Sequence, residues 1–536
     1  MDEFDVVIKR GRIIDGTGNP WLQGDIGIKE GKIKKIGFIR EKGQKTIDAG
    51  GMIVSPGFID MHNHADLTLL AYPNCENSIM QGVTTLVVGN CGLSMAPVNP
   101  KSLELLKECL LPLLPQDIDY EWNWGTLKEY YERVQEKRIA VNIVPLVGHG
   151  TIRIAVKGFE KSKLSREEMK EMKVLLARSL EDGAFGMSTG LIFPYESCAT
   201  TEELVELGGV LKQHGGMYAS HLRSESTKFI EAVKEAIKIG EENNIPVELS
   251  HHKVKGQENW GKVNNSLKLM EEARERGVEI NCDVYPYTAG SSMISSILPG
   301  WVVEDGVMKM LEKLKNKEFR EKLKKELIED SVKGENSIRD AGFNGIIIAS
   351  CPSNKEYEGK SLMEIIRSKN RLSEPYDGLF DLLLEIKGNA TIICFFMNEE
   401  DVKRVISSPL SSICSDFQTV SPAAIGKPHP RAYGAFPRVL GKYVREEMIL
   451  TIEEAIKKMT SLPASKLRLK DRGFLKEGFW ADIVVFNPNE VKDMATYQEP
   501  HQYPTGIKHV IVNGVIALED GKLAYSKCGE VLKASR

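Results

Sequence analysis

Eight short apolar or β-branched runs, separated by longer amphipathic segments rich in Lys and Glu, constrain the fold of this chain more than any other feature. This alternation is typical of repeated β-α units that build a parallel sheet. The runs are residues 57–62, 84–91, 140–149, 184–190, 216–221, 245–251, 278–285 and 411–416. Eight such runs predict an α/β fold of the (β/α)8, TIM-like barrel type, although alternation alone also allows an open, doubly wound sheet.

The two ends of the chain share a different sequence pattern, in which short strands of alternating polar and apolar residues are separated by glycine-containing turns. Residues 5–54 show this pattern. It returns near the C-terminus, where Asn513-Gly514 and Asp520-Gly521 are typical hairpin turns. We therefore expect a small β-sandwich domain built from both termini, residues 1–55 plus 465–536.

A long gap interrupts the β-α alternation before the last strand. Residues 288–410 are too many for one connecting helix, and they contain extra strand-like runs at 345–350 and 391–397. With 536 residues, the chain also exceeds the size at which one hydrophobic core stops growing. The predicted boundaries are an inserted subdomain at 288–349 and a barrel made of 56–287 and 350–464.

Composition narrows the possible partners. A formal net charge of −4 without a long basic run argues against a nucleic acid or a membrane surface and favours a small-molecule substrate. No apolar run approaches the roughly 18 residues needed to cross a bilayer. The nine cysteines are scattered without a C-x-x-C pair, and the first residues lack the pattern of a signal peptide. We therefore expect a cytoplasmic protein; the sequence makes no prediction of its oligomeric state.

Histidines cluster at the ends of the predicted strands. Five of the ten histidines and one cysteine stand there: His62, His64, His149, His221, His251 and Cys91. A barrel of this type places its active site at the carboxyl ends of its strands. In the His62-Asn63-His64 segment, the two-residue period of a strand puts both imidazoles on one side, where they can reach one ion. Thiolate and imidazole ligands favour zinc over hard cations such as magnesium.

Other polar residues near these strand ends admit more than one role. His252 points away from His251 in an extended chain, which favours packing or a position behind the ligands, and His149 could lie behind the ligands or face substrate. Asp416 is the only carboxylate on the last strand. We interpret Asp416 as the group that accepts a proton from an attacking water and returns it to the leaving group. The alternative role for Asp416 is that of a helix cap. Asp283 is the other candidate for the proton transfer.

Several motifs resemble one enzyme family. SPGFIDMHNHAD and, late in the chain, GFLKEGFWADIVVFNP are typical of the amidohydrolase superfamily. GNCG, ASHLRSE, LSHHK, DVYPYTAGSS and HPRAYGAFPRVLG narrow the resemblance, essentially from end to end, to the D-aminoacylase (N-acyl-D-amino-acid deacylase) family. The resemblance implies a metal-dependent barrel that hydrolyses N-acyl-D-amino acids to a free D-amino acid and a carboxylate.

The resemblance also implies roles for individual residues. One thiolate and two imidazoles would hold zinc tightly: Cys91, His221 and His251. A second, weaker metal position would be surrounded by His62, His64 and Asp416. The counterpart of Asp416 in that family is the general acid/base. The substrate carboxylate would be held by positions suited to an anion, namely Lys253, Tyr285 and Arg431.

Two departures from the family pattern lie on loops expected to face substrate. Phe417-Gln418 follow Asp416 where the family usually has glycine, and Phe193 stands near an expected tyrosine.

Three alternatives stay open: a cyclic amidase of the hydantoinase or dihydroorotase kind, a peptidase acting on dipeptides that contain a D-residue, and a non-catalytic binding protein. Those cyclic amidases resemble enzymes with a carbamylated lysine on strand 4, whereas the matching segment GAFGMSTG has no lysine.

Overall fold

The computed structural model describes residues 4–115, 120–329, 335–369, 374–422 and 426–534. Its strands, in chain order, are β1 (Phe4–Ile13), β2 (Leu22–Lys29), β3 (Lys32–Gly37), β4 (Gly43–Asp48), β5 (Ile53–Pro56), β6 (Phe58–Asp60), β7 (Val83–Val88), β8 (Asn142–Pro145), β9 (Val147–Gly148), β10 (Gly186–Gly190), β11 (Met217–His221), β12 (Val247–Leu249), β13 (Ile280–Val284), β14 (Ala289–Met293), β15 (Ile346–Ser350), β16 (Thr391–Phe395), β17 (Ser411–Ile413), β18 (Ile483–Phe486), β19 (Ile507–Val512), β20 (Val515–Glu519) and β21 (Lys522–Leu523).

The α-helices are α1 (Glu76–Ile79), α2 (Leu103–Leu110), α3 (Leu127–Glu136), α4 (His149–Lys157), α5 (Arg166–Glu181), α6 (Thr201–Gln213), α7 (Phe229–Asn243), α8 (Val263–Glu275), α9 (Gly300–Val303), α10 (Val307–Leu314), α11 (Lys317–Ile328), α12 (Ser337–Ala341), α13 (Leu362–Ser368), α14 (Pro375–Glu385), α15 (Glu399–Ser407), α16 (Arg431–Arg438), α17 (Ile452–Met459) and α18 (Ser461–Lys466). Short 3₁₀ turns occur at Ala65–Leu67, Leu111–Leu113, Gln257–Asn259, Ile294–Ile297 and Lys355–Tyr357, and a π-helical segment, Val439–Glu446, continues α16.

Local sequence signals account for the helices between the middle strands, as α5 illustrates. Ser165 Oγ accepts a hydrogen bond from Glu168 N, and the Glu168 carboxylate accepts one from Ser165 N. This reciprocal pair is a capping box, which satisfies backbone N–H groups that a helix start leaves without intrahelical partners. The helix then buries one face, including Met172 and Leu176, while its charged residues lie on the other.

The middle strands form two parallel sheets whose order follows the chain. One sheet has the order β6-β7-β8 and the other β17-β13-β12-β11-β10-β9, and every pairing within them is parallel. Only Leu146 separates β8 from β9. At the other edge, Asp416 N donates to His62 O and His64 N donates to Phe417 O, both at 2.9 Å. All eight predicted runs therefore contain strands of these sheets, and the fold is mixed α/β.

Both termini contribute to one further sheet. Among the described residues it has nine strands in the order β21-β20-β19-β18-β5-β1-β2-β3, with β4 paired to β1. Within this sheet, the ten-residue β1 bonds β2 along one edge and both β4 and β5 along the other, and the expected β-sandwich stays a prediction. Ile26, Ile28 and Ile483 belong to the apolar core of this sheet.

The residues between β13 and β17 contain a separate sheet. β14, β15 and β16 form one antiparallel sheet, with β16 at the centre. The sheet therefore continues to Phe395, beyond the predicted end at residue 349, and the chain returns to the parallel strands only at β17. The strand-like run at 391–397 contains β16, whose pairing partners β14 and β15 are distant in sequence.

The helices of this fold are short or amphipathic. In the part of the chain that the structure describes, no helix combines the length and the apolar character needed to span a bilayer.

Candidate metal centre

The predicted metal ligands gather at one edge of the parallel strands. His62 and His64 follow β6, Cys91 follows β7, His221 ends β11 and His251 follows β12. Asp416 follows β17, the neighbour of β13. Parallel strands all end at the same edge of a sheet, so side chains far apart in sequence become neighbours there.

One thiol lies among three imidazoles. Cys91 Sγ is 3.3 Å from His62 Nε2 and 3.4 Å from His221 Nδ1. It is also 3.4 Å from His251 Nε2. Zinc binds sulfur at about 2.3 Å and nitrogen at about 2.0–2.1 Å, so a tetrahedral site separates such ligands by about 3.6 Å. The donor types and their spacing therefore fit a zinc ion.

The cluster contains three overlapping groups of possible ligands. In each group the ligand atoms lie within 4.8 Å of one another; the groups are Cys91, His221 and His251; His62, His64 and Cys91; and His62, His251 and Asp416. Because the groups share members, the cluster admits either one ion or two neighbouring ions.

Three of these residues have a backbone conformation that non-glycine residues seldom adopt. The φ angle is 53° at Cys91, 34° at His251 and 47° at Asp416. Such left-handed conformations cost on the order of 1–3 kcal/mol and persist only where the surrounding structure imposes them. They cluster at functional sites, and here three of them meet around one cluster.

Two glycines make the turn around Cys91 possible. Gly89 and Gly92 have φ angles of 77° and 74°. A Cβ added at Gly92 would lie 1.8 Å from Glu196 Oε2, and one at Gly89 would lie 2.2 Å from Leu146 O. The GNCG segment is therefore a tightly packed turn that directs the thiol toward the histidines.

Two buried carboxylates lie behind the imidazoles. Glu225 Oε1 is 3.2 Å from His251 Nδ1, and Glu225 Oε2 is 3.7 Å from His221 Nε2. Asp283 Oδ1 accepts a hydrogen bond from His251 N at 2.7 Å and lies 3.5 Å from His62 Nδ1. A carboxylate in this position orients the ring and strengthens the opposite nitrogen as a ligand. Sequence reasoning gave Glu225 no role; its signal was the four-residue spacing from His221 in ASHLRSE.

Asp416 lies between the cluster and a buried guanidinium group. Its Oδ2 is 2.7 Å from Arg431 Nη1. Its Oδ1 is 3.3 Å from His64 Nε2 and 3.6 Å from His62 Nε2. One carboxylate oxygen is thus held by a fixed charge, and the other faces the candidate ligands.

The electrostatics of the cluster favour an ionised thiol at Cys91 and an ionised carboxylate at Asp416. Burial opposes ionisation of the Cys91 thiol, but the surrounding imidazoles outweigh it and hold the pKa well below its usual value. Burial likewise opposes the charge on Asp416, but Arg431 and the nearby histidines hold its pKa well below the ordinary range. Burial lowers the pKa of His221 to about 4, so this imidazole is neutral near pH 7.

The three residues expected to hold a carboxylate lie together beside the cluster. The Arg431 guanidinium carbon is 4.5 Å from the centre of the Tyr285 ring, and Lys253 Nζ is 5.6 Å from it. Lys253 donates to Glu225 Oε1 at 2.6 Å, so its ammonium already has one carboxylate partner. Arg431 Nε is buried and has no hydrogen-bond partner among the described residues.

Two other histidines lie away from the candidate ligands. His149 begins α4 instead of ending a strand; its Nδ1 is 2.6 Å from Glu196 Oε1 and its Nε2 is 3.0 Å from Glu203 Oε1. His252 Nε2 is 2.8 Å from Ser266 Oγ. Both ring nitrogens of His149 are therefore engaged by carboxylates, and His252 packs behind the strand.

A cavity of about 840 Å³ opens over the cluster. Its lining includes His64, Cys91, His221, His251, Lys253, Tyr285, Asp416 and Arg431. Asp283 is absent from the described residues that line it. Of the two aspartates considered as proton acceptors, only Asp416 thus meets the space in which a substrate would lie.

Comparison with known proteins agrees with this geometry. The amidohydrolase family pattern matches residues 45–286 and 384–518. D-aminoacylase from Alcaligenes xylosoxydans xylosoxydans is 34% identical over 534 residues, covering 99% of this chain and 97% of that protein.

Two solved structures match along the whole chain. A D-aminoacylase, studied for one-metal activation and second-metal attenuation at its binuclear metal centre, has a TM-score of 0.82 and 33% identity, covering 99% of this chain and 100% of that chain. N-acyl-D-glutamate deacylase from Bordetella bronchiseptica, complexed with zinc and a phosphonate mimic of the reaction's tetrahedral intermediate, has a TM-score of 0.83 and 31% identity, with the same coverage. This chain therefore belongs to the amidohydrolase family and, within it, to the D-aminoacylase (N-acyl-D-amino-acid deacylase) family.

Proposed function

We propose that this protein is a zinc-dependent hydrolase that cleaves the amide bond of N-acyl-D-amino acids to a free D-amino acid and a carboxylate. The observation that carries the proposal is the position of Cys91 Sγ, 3.4 Å from ring nitrogens of both His221 and His251. Asp416 Oδ1 faces the same cluster. The proteins that this chain resembles include a D-aminoacylase and an N-acyl-D-glutamate deacylase.

The tight zinc site would consist of Cys91, His221 and His251, and a second, weaker position would be bordered by His62, His64 and Asp416. An ionised thiol and a neutral imidazole are the protonation states that metal binding requires. When bound, zinc supplies Lewis acidity, which lowers the pKa of water and polarises a carbonyl oxygen. Zinc is present in the N-acyl-D-glutamate deacylase complex.

Asp416 is the proton carrier in this proposal. Arg431 keeps the carboxylate ionised before the reaction, so Oδ1 is ready to accept a proton from water as the water oxygen bonds to the amide carbonyl carbon. The Asp416 carboxyl then gives this proton to the departing nitrogen as the carbon–nitrogen bond breaks. The amine leaves neutral, and the carboxylate of Asp416 is restored for the next turnover.

Arg431 is the residue that we expect to bind the substrate carboxylate most directly. Its Nε is buried without a hydrogen-bond partner among the described residues, and its guanidinium lies over the Tyr285 ring. A guanidinium donates in a planar fork that matches a carboxylate. Lys253 would add positive charge nearby, although its ammonium is also bonded to Glu225.

We also propose that the eight parallel strands close into one barrel. Only Leu146 separates β8 from β9, and backbone hydrogen bonds join the segments after β17 and β6. Side chains from four of the strands meet in one apolar cluster that includes Ile59, Val87, Val144 and Ala219. Residues 1–55 plus 465–536 would then form the small domain beside the barrel.

A cytoplasmic location stays a prediction from the cysteines. All nine lie among the described residues, and each is a free thiol. Free thiols are typical of a reducing compartment.

A panel of substrates tests the proposal. N-acetyl and N-formyl derivatives of D- and L-amino acids, together with hydantoins, would be assayed on one preparation whose zinc content is measured by mass spectrometry. We expect hydrolysis of N-acyl-D-amino acids and about one tightly bound zinc per chain. Hydrolysis of hydantoins alone, or no hydrolysis of any N-acyl-D-amino acid by zinc-loaded protein, would refute the proposal.

A further inference from the structure

We infer that Glu335, in the inserted segment between β13 and β17, is a positioning residue for the zinc site. It acts through Glu225, the buried carboxylate behind the imidazoles of His221 and His251. The inference rests on the zinc site of the proposed function. It assigns part of the control of zinc affinity to a residue that lies outside the parallel strands.

One carboxylate serves both imidazoles. His221 turns Nδ1 toward Cys91 Sγ at 3.4 Å and Nε2 toward Glu225 Oε2 at 3.7 Å. His251 turns Nε2 toward Cys91 Sγ at 3.4 Å and Nδ1 toward Glu225 Oε1 at 3.2 Å. A neutral imidazole that binds a metal through one nitrogen carries its proton on the other, and a carboxylate that accepts this proton orients the ring. Glu225 offers one oxygen to each ring.

Two lysines compete with the imidazoles for Glu225. Lys253 Nζ is 2.6 Å from Oε1, and Lys255 Nζ is 2.7 Å from Oε2. Lys253 Nζ also lies 2.8 Å from His251 Nδ1. Because an ammonium only donates hydrogen bonds, neither lysine can accept a ring proton, and both attract the oxygens that the rings need. The strength of Glu225 as an acceptor therefore depends on how much of the lysine charge is balanced by other groups.

Glu335 supplies such a balance and also holds the backbone of Glu225. Its Oε2 is 3.6 Å from Lys255 Nζ, and its side chain is only 14% exposed. Its Oε1 accepts hydrogen bonds from Ser224 Oγ at 2.8 Å and from Glu225 N at 3.0 Å. Charge interactions among buried groups are stronger than in water. Glu335 thus fixes the position of Glu225 and relieves it of part of the Lys255 charge.

The helix that follows Glu335 is docked on the same loops. Asp340, in α12, accepts hydrogen bonds on Oδ1 from Ser226 Oγ at 3.3 Å and from Arg339 Nε at 2.8 Å. Arg339 Nη2 donates to Ser226 Oγ at 2.8 Å. A Cβ added at Gly256 would lie 2.7 Å from Asp340 Oδ1. The segments after β11 and β12 therefore pack closely against α12, which keeps Glu335 in place beside Glu225.

Zinc dissociation constants of the full-length protein, measured by competition with a chromophoric chelator, test the inference. Substrate is left out, because Glu335 also lines the cavity. Glu335→Ala removes both the acceptor and the charge and should weaken zinc binding about tenfold, the lower end of the range typical of residues behind metal ligands. Glu335→Gln keeps an oxygen that can accept the two hydrogen bonds, so the loss of charge alone should weaken zinc binding about threefold.

A double substitution tests whether Glu335 acts through Glu225. Glu225→Gln alone should weaken zinc binding by about 10–100-fold. Adding Glu335→Gln to that variant should change the zinc dissociation constant by less than about twofold, because the carboxylate through which Glu335 acts is gone. Glu312→Ala is the matched control, since Glu312 is an exposed carboxylate on α10 of the same inserted segment. The control should keep the zinc affinity of the unmodified protein.

The other outcomes contradict either the inference or the proposed function. A purely structural Glu335 would lower the unfolding midpoint of the metal-free Ala variant and leave the zinc dissociation constant unchanged, which would overturn the inference. If Glu335→Ala does not fold, an unchanged zinc affinity in Glu335→Gln has the same meaning. An equal effect of Glu335→Gln with and without Glu225→Gln would also overturn it.

Failure of the proposed function is recognised separately. If the unmodified protein binds no zinc, the proposed function fails and the inference fails with it. If zinc binds and depends on Glu335 as expected, but no N-acyl-D-amino acid is hydrolysed, the proposed function fails and the role of Glu335 at the metal site stands.

Discussion

Replacing Asp416 by Asn tests the proposed proton transfer most directly. Asparagine keeps the size of the carboxylate but cannot accept a proton from the attacking water. General acid and base groups contribute typically 10²–10⁴-fold to the rate, so we expect kcat to fall at least about a hundredfold. Zinc should be retained, because Cys91, His221 and His251 are unchanged.

The same substitution has a cost in stability that must be measured separately. Asp416 Oδ2 is 2.7 Å from Arg431 Nη1, and the Arg431 side chain is only 4% exposed. Removing one partner of a buried ion pair costs about 3–5 kcal/mol. Circular dichroism should show the variant folded at the assay temperature, with its thermal unfolding shifted downward.

Asp283→Asn is the matched control for the role of Asp416. Asp283 bonds His251 N and lies behind His62, outside the described lining of the cavity. Residues behind metal ligands typically change metal affinity or activity by 10–100-fold, so zinc content and activity should fall together. Steady-state kinetics on an N-acetyl-D-amino acid and zinc analysis distinguish the two variants. A loss of kcat below about tenfold in zinc-loaded Asp416→Asn would refute the assignment of Asp416 as the proton carrier.

Three further substitutions probe the turn around the thiol and the buried histidine. Cys91→Ala should lower zinc affinity and activity together in equilibrium dialysis and kinetic assays, and a variant that keeps both would make Cys91 an ordinary core residue. Gly92→Ala should destabilise the protein by roughly 2 kcal/mol or more in chemical denaturation, because φ is 74° and the new Cβ would meet Glu196; an unchanged midpoint would contradict the packing. Burial opposes the charge of His149, but Glu196 and Glu203 raise its pKa to about 9. Its contribution to stability is therefore complete below about pH 6.5 and is lost as pH rises through about 9. His149→Gln should remove this pH dependence from the free energy of unfolding, measured by chemical denaturation at a series of pH values.

The parallel strands and the candidate ligands at their ends were predictable because their signals are local. A short apolar run followed by a polar residue marks a buried strand and its end, and the H-x-H spacing of His62 and His64 follows from strand geometry. The three-stranded sheet before β17 has no such local signal, and the domain boundary at residue 349 stays a prediction. β16 joins the inserted sheet through pairing with β14 and β15, and pairing between distant segments has no local signal.

The sequence by itself determined the mixed α/β fold, the family and the set of candidate ligands, because residue type, periodicity and motif spacing are properties of short segments. Only the tertiary structure decided how those residues act on one another. The left-handed backbone at Cys91, the position of Glu225 behind two histidines and the pairing of Asp416 with Arg431 depend on contacts across the fold. The lining of the cavity likewise combines Phe193 with Met293 and Val303 of the insertion. These features arise when strand ends and an inserted sheet meet over one cavity, and only packing in three dimensions brings them together.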